Sequence, residues 1–265
     1  MSHSVEGRSS TLTAYHYGPT TGRPVLLIHG FASSTELNWA QAGWLTALET
    51  AGRRVIAVDL PGHGGSVAPE ELDEYTPSRI RAEILQLLSD SGVRPLNDSD
   101  PTSGVDVIGY SLGARLAWEF GASQAALVHK LVLGGPAAID PLASFDLEAA
   151  ERLVTSGEEI SDESTAGLMR MAMLVPENDM FALLSMVRAI KTEPFDPAES
   201  IPKMPVLLVA GDRDELAFTM PRLAEIIASH GGSIPAEQLL LPARSHANAI
   251  TSRAFKAAAI EFLGR

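Results

Sequence analysis

Apolar and polar positions along the chain fall into two alternating patterns. Short, nearly continuous apolar or β-branched runs occur at 12–17, 25–28, 54–59, 105–109, 130–133, 206–210 and 238–241. Such runs suit strands buried on both faces of a parallel sheet. Between them, apolar residues recur at helical spacing over 38–50, 77–91, 112–122, 221–229 and 247–262. Strands alternating with helices predict an α/β fold, a doubly wound, mostly parallel sheet with helices on both faces. The stretch 90–104 reads as a polar loop, and no internal repeat or low-complexity segment interrupts the pattern.

The alternation breaks between about 136 and 205. That interval has no convincing strand. It carries helical patterns near 145–155, 164–174 and 178–191, punctuated by Pro136, Pro141, Pro176, Pro194, Pro197, Pro202 and Pro205. The expected organisation is therefore a core of 1–135 and 205–265 with a helical insertion at 136–204. Met169, Met171, Met173, Met180 and Met186 fall inside the insertion. Flexible thioether side chains suit a lid over an apolar pocket, and they equally suit ordinary helix packing.

Composition narrows the function classes. The chain has 265 residues, ample for a large core, and 45% hydrophobic content. A net charge of −13 argues against nucleic acid and anionic membrane as partners. Without cysteine there is no disulfide framework, thiolate nucleophile or thiolate metal site. No stretch approaches 18 consecutive apolar residues, and the opening MSHSVEGRSS has no apolar segment of the signal-peptide type, so the expected location is cytoplasmic. Neither a His-x-x-x-His pair nor Gly-x-Gly-x-x-Gly occurs. No metal or cofactor is expected, and the expected partner is a small-molecule substrate.

The candidate chemistry begins at Gly109-Tyr-Ser-Leu-Gly113, directly after a predicted strand and before a predicted helix. The pentapeptide alone is a weak signal, so its context decides. A serine on a tight strand-to-helix turn stands above the carboxyl edge of the sheet, where ligands of open α/β sheets bind. The Leu112 N–H at the helix start suits a developing oxyanion. The strand 25–28 ends in His29-Gly30, which offers a second amide from Phe31. After the strand at 206–210 come Gly211-Asp-Arg-Asp214, and after 238–241 comes His246. A serine hydroxyl needs an imidazole to take its proton, and the imidazole needs an acid to fix its tautomer. Ser111, a carboxylate at Asp212 or Asp214, and His246 each lie beyond a strand end.

With these residues in view, the chain resembles the α/β-hydrolase fold family. The matching residues are His29-Gly30, Asp59-Leu-Pro-Gly-His-Gly-Gly-Ser66, Gly109-Tyr-Ser-Leu-Gly113, Gly211-Asp-Arg-Asp214 and His246. The resemblance implies Ser111 as nucleophile, Asp214 rather than Asp212 as orienting acid, and His246 as base. It also implies that the insertion is the variable cap placed after the family's sixth strand, here the run at 130–133. Asp140, beyond that strand, is the runner-up acid. Family members that open epoxides or displace halide carry aspartate at the serine's position. The expected reaction is thus hydrolysis of a carboxylic ester, thioester or lactone, with carbon–carbon hydrolysis or a lyase reaction as alternatives.

Within the fold, the loop and elbow look most like the menaquinone-pathway synthase branch, which eliminates pyruvate. That resemblance implies substrate contacts from Tyr110 and Arg115. A further arginine of that branch has no counterpart in Gly134-Gly-Pro-Ala-Ala-Ile-Asp140. Arg115 also suits a surface pair with Glu119, four residues on. Met173 and Met180 are the expected substrate contacts from the cap. His29 and His63 are expected to brace loops and His230 to mark a helix end, while His3, His16 and His129 have no motif around them. A catalytically idle, ligand-binding member of the fold is the remaining class.

Overall fold

The computed structural model describes residues 10–229 and 235–265. His3 and His230 therefore lie outside the described residues. The strands are β1 (Thr13–Tyr17), β2 (Pro24–Ile28), β3 (Arg54–Asp59), β4 (Val105–Tyr110), β5 (Val128–Gly134), β6 (Val206–Gly211) and β7 (Glu237–Leu241). They form one sheet in the order β1-β3-β2-β4-β5-β6-β7. Only β1 runs antiparallel to its neighbour among the described pairs. The helices are α1 (Trp44–Thr50), α2 (Pro77–Asp90), α3 (Leu112–Ser123), α4 (Leu147–Ser156), α5 (Glu163–Met173), α6 (Met180–Thr192), α7 (Met220–Ser229), α8 (His246–Ala249) and α9 (Arg253–Gly264).

The continuous apolar runs divide by residue parity. Leu26, Ile28, Ile56, Val58, Val107, Leu131, Leu133 and Leu208 pack on one face with α2, α3 and the insertion. Val25, Leu27, Val55, Ala57, Ile108, Val132, Leu207 and Val209 pack on the other with α1 and α9. Period-two side chains on a sheet covered twice leave no polar face, which is why these strands read as unbroken apolar runs.

Two predicted helices are broken in the structure. The segment 38–50 divides into a π-helical turn, Glu36–Gln41, and α1, separated by Gly43 at φ 78°. The segment 247–262 divides into α8 and α9, where Ser252 leaves helical geometry and caps the Phe255 N–H. Both breaks are made by backbone conformation at one residue, which apolar spacing does not register.

The insertion follows β5, the fifth described strand in chain order. Each of its helices starts on an aspartate: Asp146 accepts from Ala149, Asp162 from Thr165, and Asp179 from Phe181 and Ala182. Such side chains satisfy amides that a helix start leaves open. Leu168, Met169, Leu184, Met186 and Ile190 join the same buried cluster as Leu133 and Leu208, so the insertion sits on the sheet through shared core. No helix among the described residues is long and apolar enough to cross a membrane.

Candidate active site

Strand β4 enters α3 through Ser111, whose φ of 55° and ψ of −117° lie outside the regions side-chain-bearing residues favour. The two glycines around it have separate steric reasons. A Cβ on Gly109 would stand 2.2 Å from the Gly113 carbonyl oxygen, and one on Gly113 would stand 2.1 Å from the Ile28 oxygen. Glycine lets the turn close on itself and α3 lie against the β2 backbone. The Ser111 N–H is fixed to the Gly134 carbonyl at 2.8 Å.

The Ser111 hydroxyl lies 2.8 Å from His246 Nε2. On the other side of the ring, Nδ1 lies 2.9 Å from each carboxylate oxygen of Asp214. A carboxylate accepts, so Nδ1 carries the hydrogen and Nε2 is left to accept from the serine. Asp214 is 4% exposed and also accepts from the Ala217 N–H. Asp212 is exposed, and its N–H donates to the Leu241 carbonyl at the end of β7. Asp140 is not at this site, since it pairs with Arg115 and accepts from the Leu142 N–H.

Space for the imidazole depends on Gly135, at φ 58°. A Cβ there would lie 2.8 Å from His246 Cε1 and 3.1 Å from Nδ1. Tyr110 holds the histidine from behind. Its hydroxyl donates to the His246 carbonyl and its ring lies 5.4 Å from the imidazole, while burial holds its phenol far above the usual range.

Leu112 follows Ser111 directly, and the Phe31 loop runs close to the serine, since a Cβ on Gly30 would lie 3.1 Å from Ser111 Cβ. Leu112 is the first residue of α3, where amides have no intrahelical acceptor. Phe31 lies in a loop pinned at both sides: the Gly30 N–H donates to Asn38 Oδ1 at 2.9 Å, and the Ala32 N–H donates to His63 Nε2 at 3.1 Å. His63 donates from Nδ1 to the Pro61 carbonyl, while His29 donates to the Gly30 carbonyl and accepts from the Leu60 N–H. Burial pushes both imidazoles below their ordinary value, His63 to about 3. Both brace backbone. Asn38 and Gly135 carry no motif of their own, and sequence reasoning did not find them.

Two spaces meet at the serine, each lined by Phe31, Ser111, Leu168, Leu216 and His246. One is a narrow, largely apolar cavity of about 40 Å³, running along α3 to Arg115, Trp118 and Asp140. The other is a wider cleft of about 280 Å³ under Met171, Leu174 and Val175.

Several expected substrate contacts are placed differently. Met173 is 56% exposed and lines neither space, because it points off the outer face of α5, whereas Met171 lines the cleft. Met180 packs, with Phe31, against Ala32, Ala172 and Leu183, also outside both spaces. Tyr110 borders the cleft, but its hydroxyl is held by the protein itself. Arg115 is not on the surface. It is 7% exposed, pairs with Asp140, donates to the Glu193 carbonyl, and has Glu119 only at 3.7 Å. His129 pairs with Asp106 at the opposite end of the sheet, and His16 is exposed.

A serine, imidazole and carboxylate in series above the carboxyl edge of a doubly wound sheet define a class of α/β protein. The sequence pattern of the alpha/beta hydrolase family matches residues 25–259, and the chain belongs to that family. Over 128 residues it is 30% identical to epoxide hydrolase 3 of Xenopus tropicalis, a match covering 46% of this chain. The chain spans about a third, 31%, of that curated relative's length. Its fold is similar to a carboxylesterase of Nitrososphaera gargenis, at TM-score 0.75 and 16% identity over 98% of this chain and 97% of the other. It is also similar to the enol-lactonase of Burkholderia xenovorans, at TM-score 0.70 and 21% identity over 96% of each chain.

Proposed function

We propose that the protein is a serine hydrolase acting on small or medium ester-like substrates: carboxylic esters, thioesters or lactones. The observation that carries this reading is the hydrogen-bonded series Ser111–His246–Asp214 at the meeting of a narrow cavity and a wider cleft. Ser111 Oγ attacks the acyl carbon as its proton passes to His246 Nε2. The oxygen that becomes negative receives the Phe31 and Leu112 N–H groups. As the carbonyl re-forms, the bond to the leaving oxygen or sulfur breaks, and His246 returns the proton to it. Water then attacks the acyl-enzyme and gives its proton to His246. The acid departs as that proton goes back to Ser111 Oγ. Asp214 stabilises the imidazolium at each stage.

The narrower cavity is assigned to the acyl group and the wider cleft to the leaving group. The acyl group stays covalently held through both steps, whereas the leaving group must exit after the first.

The epoxide-hydrolase name of the relative does not transfer. A carboxylate nucleophile opening an epoxide makes an ester that water can cleave, whereas a serine oxygen would make an ether that water leaves intact. The pyruvate-eliminating alternative needs Tyr110 free for substrate, and its hydroxyl is engaged within the protein. The experiment is labelling with a fluorophosphonate together with hydrolysis of p-nitrophenyl esters of increasing chain length. The label is expected on Ser111, with Ser111→Ala losing most of the rate while the two amides leave a residue. Label elsewhere, or full activity in Ser111→Ala, would end the reading.

A further inference from the structure

The narrow cavity beside Ser111 is lined mostly by apolar side chains, and beyond the catalytic residues its polar groups are Arg115 and Trp118 of α3 and the Asp140 that pairs with Arg115. Arg115 and Trp118 stand three residues apart, hence on one face of the helix, and both line the cavity. They are 7% and 1% exposed. Among the described residues, Arg115 Nε and Trp118 Nε1 are buried donors with no hydrogen-bond acceptor. The rest of the guanidinium is engaged, Nη1 with Asp140 and Nη2 with the Glu193 carbonyl, and the Phe195 ring lies 5.4 Å from its central carbon. Buried N–H groups almost always find an acceptor, because an unpaired one has given up water without replacement. Both residues line one cavity while the two nitrogens are buried in its wall, so an oxygen that the protein itself does not supply reaches them as the side chains turn toward the cavity.

We propose that the inner part of this cavity is a subsite for a neutral acceptor oxygen, a ketone, ether or hydroxyl, carried on the substrate's acyl chain and held by Arg115 Nε and Trp118 Nε1. This deepens the serine hydrolase reading and rests on its assignment of the cavity to the acyl group. Charge selects the neutral acceptor: Asp140 already matches the arginine, so a substrate carboxylate would bring a second anion beside the first without a second cation. Position selects the chain length. A helix rise of ~1.5 Å per residue puts Arg115 and Trp118 about 6 Å and 10 Å beyond Ser111 along α3. Helical side chains lean back toward the N-terminus, which shortens that reach. At about 1.2 Å per bond of extended chain, the acceptor belongs on about the fifth or sixth carbon of the acyl group.

The test compares p-nitrophenyl heptanoate with its 5-oxo and 6-oxo analogues and with the monoester of heptanedioic acid. Wild type should favour one oxo ester over heptanoate by about tenfold in kcat/KM and over the acid-ended ester by at least as much. Trp118→Phe keeps an aromatic ring and removes the donor, so the oxo-to-plain ratio should fall toward one. A wild-type ratio of one, a ratio unchanged in a folded Trp118→Phe, or a preference for the acid-ended ester overturns the proposal; an ordered water shared by the donors would give the first result. Calorimetry on the Ser111→Ala protein separates this failure from that of the serine chemistry, and it decides the matter if Trp118→Phe does not fold. N-methyl 5-oxoheptanamide or its 6-oxo isomer should bind about tenfold tighter than N-methylheptanamide whether or not any ester is cleaved. Equal affinity, or no binding of either oxo amide, overturns the subsite even where esters are hydrolysed.

Discussion

At the scale of single residues, the site is shaped as much by what is missing as by what reacts. Gly135 leaves room for the imidazole, so Gly135→Ala should push His246 off the line between Ser111 and Asp214. Since a displacement of about 1 Å can cost 100-fold, kcat should fall by roughly that factor, and strain at a positive φ should lower stability by about 1 kcal/mol. Steady-state rates and a thermal melt on the same sample check both, and an unimpaired kcat would show that the ring has room to spare. The carboxylates divide by burial: Asp214 is closed in against the imidazole, and Asp212 faces solvent. Asp214→Asn should lower kcat by about 10⁴ through loss of the correct tautomer, whereas Asp212→Asn should stay within several-fold. The reverse order would move the acid's role to Asp212. Ser111 and His246 were legible in the sequence because serine between glycines and histidine after the last strand occupy recognisable places. Gly135 and Asn38 were not, because their importance lies in a distance to a residue far along the chain.

At the scale of elements, periodicity served the strands best. Each of the runs that alternate between two buried faces became a strand, since a doubly covered sheet imposes apolarity at every position. It served helices less well where one residue changes direction, as at Gly43 and Ser252. On α5 the methionines are spaced closely enough that composition marked the element without marking its faces: Met169 is buried, Met171 borders the cleft and Met173 faces outward. The lid reading therefore passes to Met171. Met171→Ala should change kcat/KM unequally across esters that differ in the leaving group, by at most about 1 kcal/mol for each substrate methylene that the thioether no longer covers. Met173→Ala should leave the whole series unchanged. If the two variants behave alike, α5 contributes packing and no selection.

At the scale of the molecule, one sheet edge gathers groups that the chain keeps far apart, and the loop bearing Phe31 is tied to that edge through two neutral imidazoles. The sequence made the edge legible, since each reacting group follows a strand. The cavity wall was not legible, because Arg115 meets Asp140 and Glu193 only once the insertion folds over α3. The imidazole ties give the fold a pH dependence whose sign is fixed. His63 has a folded pKa of about 3 against an ordinary 6.5, and His29 is lowered in the same direction by burial. Below pH 6.5 the unfolded chain takes protons that the folded chain refuses, so stability is fully present above about 6.5 and falls as pH drops toward 3. The slope is ~1.4 kcal/mol per pH unit for His63 alone, and His29 adds to it. The net charge of −13 works the other way, because acid relieves the repulsion among carboxylates. Comparing wild type with His63→Gln at each pH cancels that shared contribution, and the glutamine oxygen can still accept from the Ala32 N–H. Urea midpoints between pH 8 and pH 5 should converge for the two proteins as pH falls, the wild type losing its lead. Parallel curves would mean that His63 is not kept neutral by the fold.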